Sequence, residues 1–136
     1  MRISLEDGTI YYEKDIVIKR GMTSTEALEQ LGKIYPKPKA LCGYAWFPAL
    51  PNAFEGCEMK VSISNSPVRY VEFVVPRIKG VPKSREKQFE HLKSVIGEGL
   101  FELLALHENR CDFSWGTVSL SWDGRDVEMS LGICYR

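Results

Sequence analysis

Apolar and polar residues alternate along most of this 136-residue chain, and helical spacing interrupts the alternation twice. Residues 3–5 and 10–12 flank Asp7-Gly8, a pair suited to the positive φ angles of a type I′ hairpin turn. "DIVIKRG" reads as a further extended segment. In "MTSTEALEQLGKIY", Thr23 and Glu26 have capping-box spacing, and Ala27, Leu28, Leu31 and Ile34 follow at helical intervals. Gly32 weakens the last turn, and "YPKPK" ends the helix because proline cannot continue the hydrogen-bond ladder.

The stretch 41–47 predicts a strand, after which Pro48 and Pro51 turn the chain into a loop through Gly56. "CEMKVSIS" alternates cleanly, with Met59, Val61 and Ile63 on one face and Glu58, Lys60 and Ser62 on the other. Beyond an "NSP" turn, "VRYVEFVVPRI" is apolar on nearly both faces, which predicts a central strand. Ser84 caps a second helix whose Phe89, Leu92, Ile96, Leu100, Leu103 and Leu104 form one stripe, with a kink or break at Gly97 and Gly99. "CDFSWGTVSLSW" and "DVEMSLGICY" then form a closing hairpin around Asp123-Gly124. Val118, Leu120 and Trp122 share a face there with Val127, Met129, Leu131, Ile133 and Tyr135. The sum is an α+β fold in a single domain over 1–136, a mainly antiparallel sheet with two helices packed on one face.

Composition adds limits. Eighteen basic residues balance eighteen acidic ones, whereas a dedicated nucleic-acid binder carries a basic excess. The local run Arg77, Lys79, Lys83, Arg85 and Lys87 reads as a solvated loop and helix start, so no nucleic-acid partner is expected. No apolar run approaches the roughly 20 residues that span a membrane, and "MRISLEDGTIYY" lacks the apolar region of a secretory signal, so no membrane partner and a cytoplasmic location are expected. Cys42, Cys57, Cys111 and Cys134 are widely spaced, which fits free thiols better than a disulfide framework or a zinc site.

Chemistry is sparse. Both histidines, His91 and His107, fall on the second helical segment, and His107 ends it. Cys111 or Ser114 near His107 lacks the surroundings of a nucleophile, and "IGEGL" lacks the strand and Lys-Ser/Thr pair of a phosphate loop. No catalytic residue, metal or cofactor is expected. Aromatic residues are in surplus: Tyr44, Trp46, Phe47 and Phe54 gather around the proline-interrupted segment. Core packing accounts for most such residues, but aromatics on a stiff loop also make partner anchors. Trp122 with Asp123, Arg125 and Asp126 forms a second candidate contact, a rim of mixed charge at the hairpin tip.

Three segments, "ISLEDGTI", "GMTSTEALEQLG" and "FSWGTVSLSWDGRDVEMSLGICY", resemble small bacterial immunity proteins encoded beside polymorphic toxins of contact-dependent, Rhs or type VI secretion systems. The start of the first helix also resembles BamE-like and β-lactamase-inhibitor-like α+β modules, although the lipidated cysteine of BamE-like lipoproteins has no counterpart here. The resemblance implies a non-enzymatic role, binding a cognate toxin domain and occluding its active site. Two other readings stay open on the residues alone. One is a small-ligand enzyme with its site near the 48–56 loop, using Asp112, His107 or Cys111; the other is an adaptor that dimerises through an edge strand.

Overall fold

A computed structural model of the chain describes residues 2–13, 15–35, 37–47, 58–64, 66–75, 84–123 and 128–136, and every structural statement below concerns these residues. Three short strands, β1 (Arg2–Ile3), β2 (Ile10–Glu13) and β3 (Ile16–Ile18), make an antiparallel sheet of their own. Helix α1 (Ser24–Leu31) follows. Its capping box is in place: the Glu26 N–H donates to Thr23 Oγ1 at 3.1 Å and the Thr23 N–H to Glu26 Oε2 at 3.3 Å. The helix stops at Gly32, ahead of the prolines.

The remaining strands are β4 (Lys39–Leu41), β5 (Tyr44–Phe47), β6 (Glu58–Ser62), β7 (Tyr70–Val75), β8 (Arg110–Phe113), β9 (Gly116–Asp123) and β10 (Glu128–Tyr135). They form one seven-stranded antiparallel sheet in the order β4-β5-β6-β7-β10-β9-β8. β7, the segment expected to be central, is the fourth strand of the seven. Helices α2 (Arg85–Ile96) and α3 (Glu98–Leu106) lie between β7 and β8 in the chain. The fold is α+β, with ten strands in two sheets and three helices, where two helices and one sheet were expected. The second helix divides at Gly97, whose φ of 99° no right-handed helix contains.

One face of the large sheet builds the core. Met59, Val61, Val71, Phe73, Leu131 and Ile133 point to it, all at most 1% exposed. Leu92, Leu100, Phe101 and Leu104 of the helices join the same cluster, as do Ile10, Ile18 and Leu31. The small sheet is thus a second layer over the large one rather than an extension of it. Tyr12 packs against Phe73 with ring centroids 6.2 Å apart, and its hydroxyl meets the Met59 sulfur. The Trp115 indole N–H donates to the Leu5 carbonyl and the Tyr135 hydroxyl to the Gly8 carbonyl, each at 2.9 Å. On the helical side, the Gln88 amide oxygen, buried with its residue, accepts the Met129 N–H at 2.9 Å.

Three turns differ from expectation. Only Gly8 has positive φ in the first hairpin, and Ser4 pairs with Thr9 around a four-residue loop, so no type I′ turn forms on Asp7-Gly8. The type I′ signature lies at Cys42 (φ 51°) and Gly43 (φ 80°), which split the expected strand 41–47 into β4 and β5. In the closing hairpin Asp123 pairs with Glu128, so Asp123 belongs to a strand and the connection 124–127 lies outside the described residues. Trp122 therefore pairs with Met129. Among the described residues the expected face sharing along this hairpin holds, because cross-strand partners project to one side, and Val127 lies outside them.

Candidate partner-binding face

Strand β5 alternates in burial, and the alternation divides the aromatic cluster between the two sides of the sheet. Ala45 and Phe47 point into the core, where Phe47 is 2% exposed and packs on Tyr35 with ring centroids 5.1 Å apart. Tyr44 and Trp46 point the other way, to the face that takes no part in the core cluster. Register continues Trp46 into a row that crosses all seven strands: Lys39, Trp46, Lys60, Glu72, Gly132, Ser119 and Arg110. A parallel row places Leu41, Tyr44 and Ser62 on one side and Cys134, Thr117 and Asp112 on the other.

Within the first row, the Lys60 ammonium sits 4.1 Å from the centroid of the Trp46 ring and 3.6 Å from the Glu72 carboxylate. Each contact contributes on the order of 1 kcal/mol or less at a partly wet site, so their main effect is to hold the indole in place. Tyr70, opposite Cys134, meets Tyr44 edge-on with centroids 6.3 Å apart. Its ring lies against the neighbouring strand because Gly132 has no side chain; a Cβ there would come within 2.8 Å of the Tyr70 hydroxyl. Tyr44, Trp46 and Tyr70 thus form an aromatic ridge. On the far half, Ser119, Ser121, Ser130 and Thr117 make a flatter polar surface, with Ser121 and Ser130 hydroxyls 2.9 Å apart.

Burial pushes the Tyr70 phenol up to about 12, with Glu72, Tyr44 and Cys134 adding to the effect. A folded-state value above the ordinary one near 10 means that the protonated phenol stabilises the fold. That contribution is complete below pH about 10 and is lost as pH rises through about 12. Ultraviolet titration is expected to show a late tyrosinate component that shrinks in Tyr70→Phe. An identical titration in that variant would contradict the packing described here.

A groove of about 450 Å³ opens beside Trp46, lined among the described residues by Lys37, Lys39, Leu41, Trp46, Phe47 and Glu58. At the opposite edge Asp112 accepts from the Thr117 hydroxyl at 2.6 Å and lies 3.4 Å from Arg110 and 3.9 Å from Arg136. The Thr117 hydroxyl first, and then the guanidinium groups, hold its carboxyl below the usual carboxylate range.

The residues expected to contact a partner are therefore dispersed. Tyr44 and Trp46 stand together; Phe47 serves the core. Trp122 pairs with Met129, so it lies on the core side, half-buried, while Asp123 is exposed on the open side. Phe54, Arg125 and Asp126, the 48–56 loop and Arg77, Lys79 and Lys83 of the basic run lie outside the described residues, as does Cys57. Sequence reasoning missed Lys39, Leu41 and Tyr70. The polar alternation of β6 did carry a signal for Lys60, whereas the nearly all-apolar appearance of β7 concealed that Tyr70 and Glu72 face outward. The groups of an enzymatic reading do not converge: Cys111 is buried, and burial pushes its thiol up, whereas Asp112 points to the open face and His107 is exposed at the end of α3. Among the described residues no cluster of His, Cys, Asp and Glu has the makings of a metal site, and no helix is long and apolar enough to cross a membrane.

No family model and no curated protein matches the sequence. In structure, the chain is similar to a chain of a solved complex described as "Rhs1-CT in complex with cognate immunity protein RhsI1", with a TM-score of 0.56 and 14% sequence identity. The likeness extends over 100% of this chain and 87% of that one. At that identity it is a likeness of fold, and the fold it matches has been seen in a toxin–immunity assembly.

Proposed function

We propose that this chain is an immunity protein that binds a cognate bacterial toxin domain and neutralises it by occluding its active site. The observation that carries the reading is a broad sheet face, outside the core and bearing an aromatic ridge, on a fold found in a toxin–immunity complex. Tyr44 and Trp46 are its anchors, held by Tyr70 and Lys60, and Asp123 belongs to its rim. Phe47 and Trp122 act from beneath, by fixing the sheet. The protein works in the cytoplasm of the cell that carries the toxin, whether that toxin is delivered by contact-dependent, Rhs or type VI machinery.

Size is consistent with this role. Six strand spacings of about 4.8 Å make the face about 29 Å wide. A standard interface, about 800 Å² per partner, corresponds to a disc about 32 Å across.

The reading requires a secreted toxin encoded beside this chain, and the test uses the C-terminal domain of that toxin. The two are expected to form a one-to-one complex, and co-expression is expected to restore growth of cells producing the toxin domain. Trp46→Ala and Tyr44→Ala are each expected to weaken the complex by about 2 kcal/mol, roughly 30-fold, without unfolding the chain. Absence of both complex and protection would refute the immunity function. Unweakened binding by both variants would move the interface elsewhere.

A further inference from the structure

We infer that the groove beside Trp46 receives an acidic segment of the toxin domain, with an apolar side chain against Leu41 and Trp46 and a carboxylate against Lys39. The inference rests on the immunity reading and names the chemistry of the partner at that face. Its starting point is the row Lys39, Trp46, Lys60, Glu72, which sets a cation on each side of one indole. The two cations are not equivalent. Lys60 is neutralised by Glu72 at 3.6 Å and covers the Trp46 ring. Lys39, exposed on the outermost strand, makes no ion pair among the described residues, nor does Lys37.

Those two lysines stand against one carboxylate, Glu58, among the described residues that line the groove. Among the described residues of the lining, cations thus outnumber carboxylates two to one, although the chain as a whole is neutral. A basic segment would meet uncompensated like charge, which costs binding, whereas a carboxylate gains a counter-ion. The rest of the lining asks for apolar contact: Leu41 is 49% exposed, unusual for a leucine in a strand, and shares its hairpin with Trp46. The groove, at about 450 Å³, holds more than one side chain, and β4 borders it at the edge of the sheet. An extended segment can therefore enter lengthwise instead of inserting one residue from above.

The experiment measures association of the same C-terminal toxin domain with wild type, with the double variant Lys37→Glu/Lys39→Glu, and with Lys87→Glu, an exposed position of α2 on the other side of the sheet. Circular dichroism verifies that each variant is folded. In low salt the double reversal is expected to slow association about tenfold or more, and the gap to wild type is expected to narrow as salt screens the field. Lys87→Glu is expected to stay within about twofold of wild type, because it lies away from the binding face. Leu41→Ala is expected to speed dissociation about tenfold, as loss of a buried apolar anchor does. Hydrogen exchange of the complex is expected to protect residues 39–47 and 58–62. A complex that forms with wild type but is unaffected or tightened by the double reversal would overturn the acidic-segment assignment and leave the immunity function standing. Protection confined to 117–123 and 130–134 would do the same. Failure of wild type to bind at all would remove both.

Discussion

Replacing Gly116 with alanine is expected to lower thermal stability sharply, by about 3 kcal/mol and roughly 10 °C in Tm. In a strand, alanine ordinarily gains over glycine because it has less conformational entropy to lose. Here the sign reverses. Gly116 opens β9 opposite Tyr135, and a Cβ on it would lie 2.1 Å from the carbonyl oxygen of Cys134 on β10. The obstacle is the backbone of a paired strand, so it cannot swing aside as a flexible side chain can. Relief requires β9 and β10 to separate, which disturbs Trp115 and the bond it donates to Leu5. Gly99 is the control. Its Cβ would meet nothing within 4 Å and its φ is not positive, so Gly99→Ala is expected to stabilise α3 by about 0.5–1 kcal/mol. Thermal melts of the two variants should move in opposite directions; melts moving together would mean that contact geometry is not what distinguishes the sites.

Phe73→Ala is expected to cost more, about 3–5 kcal/mol, or roughly 10–20 °C in Tm. Phe73 is 1% exposed on the central strand, with Met59 and Leu131 as its cross-strand partners and Tyr12 of the small sheet over its ring. Truncation removes the transfer energy of a large side chain and leaves a cavity between two layers. Because total stability of such domains is about 5–15 kcal/mol, the variant should be close to its unfolding limit. Denaturant melts give the number, and a loss below about 1 kcal/mol would contradict the position of Phe73 between the sheets. Glu72, one position earlier on the same strand, projects to the opposite side and pairs with Lys60. The contrast between Phe73→Ala and Trp46→Ala separates the two faces of the sheet: the first should bring the protein close to unfolding, and the second should leave it folded but weaken partner binding.

Much of the fold was legible locally. The capping box of Thr23 and Glu26, the alternation of β6 and the central place of β7 all follow from residues near one another in sequence, and each is present. At Gly97 the sequence left a kink and a break open, and the positive φ there makes it a break. The candidate site was only partly so. Tyr44, Trp46 and Phe47 look alike as a cluster, yet one is core and two lie half-buried on the other side of the sheet. Which side of a strand faces inward depends on the strands it pairs with, and the turn at Cys42-Gly43 was hidden inside a run with strong strand propensity.

The sequence by itself determined the α+β class, the starts of the first two helices and the period of most strands, because capping and alternation act within a few residues of where they are written. Only the tertiary structure decided that the first three strands form a separate layer, that Phe47 turns toward the core, and that Lys39, Trp46, Lys60 and Glu72 align across four strands. Those outcomes depend on pairing between residues far apart in the chain, and a one-residue change of register would send every side chain of a strand to the other face.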